Sequence, residues 1–271
     1  MGFPAEASLD ALPRVTWKQA MSSGLDTYRR LVNAGLQPVR PPVAITEFER
    51  RQVKLFARAD AVSLREVTGR AIDWASAVLA SGAVILDTET TGVDTSNDRA
   101  VQLAVTDMTG QPLLDTLIDP GVTIPDLATL VHGITDEHVS GHPTFAEVLP
   151  ELDDILGGRD VVVYNAAFDG ALLRAEVARV HGDEYAQQWT RARSWKCAMR
   201  VYSWFQAQWS VTQEDWRRHK LPGASHGALG DCQATLELIR SMAAAGDPPE
   251  GSEDPVTDSR GNPLGWPSQV E

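Results

Sequence analysis

Cysteine is nearly absent from this chain. Its two cysteines, Cys197 and Cys232, are too few for a disulfide framework and are not spaced as a metal-ligand pair. Both fall in apolar, helix-like segments and read as small buried hydrophobes. Long apolar runs are missing as well. None approaches the roughly 20 residues that span a bilayer, so no membrane association is expected. The stretch Met1 to Asp10 lacks the basic-then-apolar pattern of a secretory leader, and the expected location is cytoplasmic. No internal repeat is visible. Positive charge is scarce: 24 Lys and Arg stand against 37 Asp and Glu, for a net charge of −13.

That imbalance is uneven. Residues 1–80 hold 11 basic and 8 acidic residues, residues 81–245 hold 12 and 23, and residues 246–271 hold 1 and 6. So acidic a chain lacks a broad phosphate-binding surface and is expected to grip long duplexes weakly. Bound cations can invert the field locally, and carboxylates assigned to metal account for part of the excess. What is present is otherwise ordinary: 271 residues, 43% hydrophobic and 23% charged. This suits one large domain, or a domain of about 150–170 residues with a smaller addition.

Residues 1–80 read as a helical N-terminal extension. Trp17 to Leu31 has amphipathic spacing. Thr46-Glu47-Phe48-Glu49 and Ser63-Leu64-Arg65-Glu66 each fit a capping box ahead of a helix, the latter helix covering about 64–80. The pattern then changes. Ala83-Val84-Ile85-Leu86 is a short buried-strand run. Residues 100–108 and 112–119 are further strands around a Thr109-Gly110 turn, and 161–164 is a fourth. Helices are expected over 144–156, 166–180, 194–208 and 227–243. Interleaved strands and helices point to an α/β sandwich with a mixed sheet over 81–245. The Pro-, Gly- and acid-rich 246–271 reads as a flexible acidic tail.

Three segments carry candidate chemistry. Asp87-Thr88-Glu89 ends the strand at 83–86. Residues two apart in a strand share a face, so two carboxylates stand side by side, which is costly unless a cation lies between them. Taken alone, the pair is weak evidence and reads first as a solvated strand end. Asp169 sits in the first turn of a helix that follows a strand, where the helix N-terminus favours an ionised carboxylate; by itself the segment reads first as an acid placed for the macrodipole. In His226-Gly227-Ala228-Leu229-Gly230-Asp231 a histidine precedes a helix and an aspartate lies on it. The histidine can accept a proton and the acid can hold metal, or both can be surface residues.

Together the segments are more specific. Ile85-Leu86-Asp87-Thr88-Glu89-Thr90-Thr91-Gly92, His132-Gly133-Ile134-Thr135, Asn165-Ala166-Ala167-Phe168-Asp169 and His226-Gly227-Ala228-Leu229-Gly230-Asp231 occur in one order. In that order they resemble the DEDDh exonucleases. The resemblance covers about residues 81–243 and implies a ribonuclease H-like fold, a mixed five-stranded sheet flanked by helices. It implies that Asp87, Glu89, Asp169 and Asp231 bind two Mg²⁺, with Mn²⁺ as a substitute, and that His226 is the general base. It also implies that Thr90 and Thr91 contact the terminal sugar or phosphate, with His132 and Phe168 nearby; a satisfied turn histidine is the other reading of His132. Tyr164-Asn165 stands where the family commonly has His-Asn, and residues 1–80 match none of the pattern.

The expected activity is two-metal-ion 3′–5′ hydrolysis at single-stranded or frayed 3′ ends of DNA or RNA, releasing 5′-mononucleotides. Two cations about 3.5–4 Å apart can clamp an in-line displacement at phosphorus. Single-stranded DNA is the leading substrate. An exoribonuclease acting on RNA ends or short oligonucleotides is the alternative, since recognition of the 2′-OH rests on geometry that motifs do not reveal. A catalytically silent binding module is the rival from another class, and its mark would be loss of an acid or of the histidine. Residues 1–80 read as a homodimerisation or partner-docking element. The tryptophans between Trp189 and Trp216 read as core packing, with one or two rings free to stack on bases.

Overall fold

The computed structural model describes residues 11–38, 40, 42–210 and 215–246. The tail expected at 246–271 lies, Gly246 apart, outside the described residues. The described chain forms two compact units. One draws on the stretch up to Ala71 and on Ser203–Arg218; the other comprises Ile72–Tyr202 and His219–Ala245. This differs from the boundary expected at residue 80 in two ways: the division falls after Ala71, and Ser203–Arg218 joins the N-terminal unit.

The first unit is not simply helical. Its elements are α1 (Trp17–Ser22), β1 (Leu25–Thr27), α2 (Tyr28–Asn33), β2 (Leu36–Pro38), β3 (Ala44–Phe48), β4 (Arg51–Ala57) and β5 (Ala61–Ser63). The single helix expected over 17–31 is interrupted at Gly24, whose φ of 68° is left-handed, and by β1. The helix expected after Thr46 is a hairpin instead. Glu49 and Arg50 take φ of 49° and 64°, the backbone of a two-residue turn that matches strand twist. β4 then runs between β1 and β3. Its Leu55 packs with Ala20 and Ala44, and the adjacent Phe56 packs with Leu31, Val67, Trp209 and Trp216. The strand is thereby buried on both faces at Leu55 and Phe56. Trp209 and Trp216 lie on β11 (Trp209–Ser210) and β12 (Asp215–Trp216), with ring centroids 5.4 Å apart. α3 (Leu64–Leu79) forms as expected, and Ser63 Oγ accepts the Glu66 N–H at 3.1 Å.

The second unit carries β6 (Val84–Thr90), β7 (Ala100–Asp107), β8 (Pro112–Leu117), β9 (Asp160–Val163) and β10 (Ser194–Cys197). Their order is β10-β9-β6-β7-β8. β6, β7 and β8 are antiparallel in sequence, and β9 and β10 run parallel to β6. This is the mixed five-stranded ribonuclease H-like sheet that the resemblance implied. The 194–208 segment departs from helix at its beginning, the edge strand β10, and α9 (Ala198–Gln206) follows it and stops at Ala207, whose φ is 50°.

Helices cover both faces of the sheet. On one side α6 (Phe145–Leu156), α7 (Ala166–His181) and α8 (Asp183–Arg191) bury Leu152, Leu172, Leu173 and Trp189 with Val84, Leu86, Leu103 and Val105. Each such side chain contributes about 1.5–3 kcal/mol, which makes the sheet a firm platform. On the other side α10 (Ala228–Ala244) packs on β6 and β7. The short helices α4 (Asp126–His132) and α5 (Asp136–Val139) pack Ala128, Ile134 and Val139 with Val101. No described helix is long and apolar enough to cross a membrane.

Candidate active site

The site grows from the end of β6, the central strand. Alternation turns Asp87 and Glu89 to the α10 side and Thr88 to the α7 side. A register shift against β7 falls between Glu89 and Thr90, a bulge that re-aims the strand end. From α10, Asp231 meets the two β6 acids: carboxylate oxygens of Asp87, Glu89 and Asp231 lie within 4.8 Å of one another. Asp169, 4% exposed in the first turn of α7, accepts the Thr88 hydroxyl at 2.8 Å.

Four acids this close repel. Burial, then the charges of Asp169, Asp231 and Glu89, hold the Asp87 carboxyl well above the usual range. Burial, then Asp231 and Asp169, push Glu89 up to about 7. Burial pushes Asp169 up to about 7 as well, against the downward pull of the Thr88 hydrogen bond. Among the described residues none of the four makes a salt bridge. An uncompensated, all-oxygen cluster without histidine or thiolate in it can hold a divalent cation of the Mg²⁺ type.

His226 stands outside that cluster. It is exposed on the loop before α10, with a left-handed φ of 57°. Its neighbours fix the loop. The Ser225 N–H donates to Asp231 Oδ1 at 2.7 Å, and a Cβ on Gly230 would overlap the Ser225 hydroxyl. The second glycine of the His226–Asp231 motif therefore permits a close approach. Farther back, the Tyr164 hydroxyl donates to the His219 carbonyl at 2.7 Å, which ties the start of the same loop to the end of β9.

The other expected site residues divide. Thr91 is 5% exposed; its hydroxyl donates to Asp98 at 2.8 Å and accepts the Arg99 N–H at 3.0 Å. The Thr90 hydroxyl donates to the Gly92 carbonyl. His132 Nδ1 accepts the Ile134 N–H at 3.0 Å, so Nε2 carries the proton donated to the Thr90 carbonyl at 3.1 Å. Burial holds His132 below the usual histidine range. Both ring nitrogens thus serve the backbone next to the site. Phe168 is half-buried one residue before Asp169.

The model of the exonuclease family matches residues 84–239. This chain belongs to that family. The match bears out the family that the four motifs pointed to, and the chain is a nuclease of the hydrolase class. An uncharacterized exonuclease, CP81, of Escherichia phage 186 is 31% identical over 193 residues, covering 66% of this chain and 95% of the phage protein. A DNA polymerase III PolC-type protein of Clostridium perfringens is 35% identical over 94 residues, 34% of this chain but 6% of that one. A DNA polymerase III subunit epsilon-like protein of Rhodobacter capsulatus is 41% identical over 97 residues, 34% of this chain and 14% of that protein. Among solved structures, E. coli exonuclease I in complex with a dA16 oligonucleotide aligns with a TM-score of 0.47 and 20% identity, covering 59% of this chain and 41% of that one.

Two supporting residues of this exonuclease were missed in the sequence. Thr88 orients Asp169, a role hinted at only by its position between two acids on the opposite face. Gln102, opposite Glu89 on β7, accepts the Ala228 N–H at 3.1 Å and donates to Asp115 at 3.2 Å. It ties the first turn of α10 to the sheet, and no motif marks it.

Proposed function

We propose that this exonuclease removes single nucleotides from the 3′ end of single-stranded or frayed DNA. The observation that carries the reading is the convergence of Asp87, Glu89 and Asp231, with Asp169 close enough to raise the pKa of both β6 acids. These four residues would hold two Mg²⁺, or Mn²⁺ in their place. Bound there, the ions supply activation of the attacking water and neutralise charge on the phosphoryl and departing oxygens. His226, on its exposed loop, takes the proton as the water oxygen bonds phosphorus and the P–O3′ bond breaks. The imidazole must be neutral to do so. Thr88 and Gln102 keep Asp169 and α10 in register, and Thr90, Thr91, His132 and Phe168 form the wall beside the terminal nucleotide. The choice of DNA is supported by the DNA polymerase III relatives; RNA ends are the alternative.

The test is digestion of 5′- and 3′-labelled single-stranded DNA, duplex DNA and RNA side by side. With Mg²⁺ or Mn²⁺, 5′-mononucleotides should be released from the 3′ end of single-stranded DNA first. Chelation should stop the reaction, and added metal should restore it. Full activity after exhaustive chelation, or initial release from the 5′ end, would refute the reading. Faster digestion of RNA would reassign the substrate.

A further inference from the structure

A cleft of about 560 Å³ opens between α7, α8 and the loop that follows β6, a volume within the range of small-ligand sites. Ala171, Ala175 and Ala178 line its α7 side, and Arg174, Arg179 and Ser96 supply polar groups. At 100° per residue, the exposed Ala167 lies on the same side of α7 as Ala171, Arg174 and Ala178. The cleft thus follows the outer side of α7, and Asp169 stands on the opposite, buried side of the same helix.

The cationic groups there are prepared in different ways. Arg179 is held in place: its Nη2 donates to the Ser96 carbonyl at 2.9 Å, and its Nη1 lies 3.4 Å from Glu176. Glu176, 1% exposed, also takes Arg99 at 3.1 Å and the Ala100 N–H at 2.9 Å. One buried carboxylate thus carries two guanidinium groups, leaving a positive charge in excess. Arg174 is exposed and makes no hydrogen bond or ion pair among the described residues. Asp183 is the acid on the cleft wall. Asp98 spends its carboxylate on the Thr91 hydroxyl and the Asp94 N–H, and Asp94 accepts from Ser96 and Asn97. Arg174 is therefore the guanidinium on the cleft wall that no carboxylate pairs among the described residues, while Arg179 shares the buried Glu176 with Arg99.

We propose that the cleft binds the sugar-phosphate backbone of the substrate strand on the 5′ side of the nucleotide being removed, with Arg174 and Arg179 meeting its phosphates. This rests on the nuclease reading above and adds a second contact region to it. The alanine wall allows close backbone approach without reading base edges, so the grip is independent of sequence.

The test compares the full chain with its Arg174→Glu and Arg174→Lys variants on a dinucleotide and on oligothymidylates of up to about twelve nucleotides. For Arg174→Glu, KM on the longer strands should rise about tenfold, and the slope of log KM against log salt should fall by about one. The dinucleotide should be cleaved at the parental rate, and Arg174→Lys should stay near parental throughout. Unchanged KM and salt slope at every length would overturn the inference. So would an equal loss on the dinucleotide, which would place the effect in the catalytic centre or the fold. A parental protein that cleaves no strand at all would instead refute the nuclease reading itself.

Discussion

On the proposed mechanism Asp169 and His226 have separable tasks, and suitable substitutions should expose the difference. Asp169→Asn keeps an oxygen for the Thr88 hydroxyl but removes a charge from the acid cluster, so metal uptake and the chemical step should both weaken. His226→Asn tolerates the left-handed backbone at this position but supplies no base. Metal and strand should then bind as before, while the single-turnover rate falls by about 10²–10⁴-fold. Metal titrations and single-turnover rates on both variants check this, and parental turnover by His226→Asn would leave His226 without a catalytic role. The convergence of Asp87, Glu89 and Asp231 was legible because strand period and motif order mark these acids. Their support was not. Thr88 reaches Asp169 across 81 residues, and Gln102 reaches Ala228 across 126, distances over which local pattern is silent. His132 does what its other reading, a satisfied turn histidine, expected, while the hydroxyl bonds of Thr90 and Thr91 within the loop that follows β6 went unread.

At the scale of elements, three capping-box patterns had unequal outcomes. Those at Ser63 and Thr144 open helices, with the Thr144 N–H bonded to Glu147 at 2.8 Å. The one at Thr46 does not. A cap is worth about 1 kcal/mol, whereas burying Leu55 and Phe56 on opposite faces of β4 is worth about 1.5–3 kcal/mol each. The larger gain selects the hairpin. β10 escaped notice because four residues at a sheet edge carry too short a pattern to separate from the helix that follows. The N-terminal unit also recruits Trp209 and Trp216, so a fragment of residues 81–245 would strip these rings of Leu31, Phe56 and Val67. That fragment should therefore expose tryptophan. Its fluorescence should be red-shifted, it should bind a hydrophobic dye, and it should be less soluble than the full chain. Native-like emission from these two rings in the fragment would contradict the packing described.

Over the whole molecule, most of the net charge of −13 lies on solvated carboxylates, but Asp87, Glu89 and Asp169 are held in raised-pKa environments that couple to global stability. The native state keeps protons on them at pH values where the unfolded chain, with ordinary carboxyls near 3.8 and 4.5, has released its own. Native protein then binds more protons than unfolded protein, so their contribution to stability falls as pH rises from the ordinary carboxylate range to about 7, the direction that proton linkage requires. On the proposed reading a divalent cation would bind the deprotonated cluster and stabilise the folded form with the logarithm of its concentration above its dissociation constant. Adding Mg²⁺ should therefore raise Tm little near about pH 5 and most near about pH 8, with proton release on binding measurable by calorimetry in two buffers. A Glu89→Gln variant, relieved of one charge, should melt higher than the parent without metal at about pH 8, and should gain less from Mg²⁺. Tm measurements across pH with and without Mg²⁺ decide the matter. A gain from Mg²⁺ that is the same at both ends of the range would mean that the cation does not bind at these raised-pKa carboxylates.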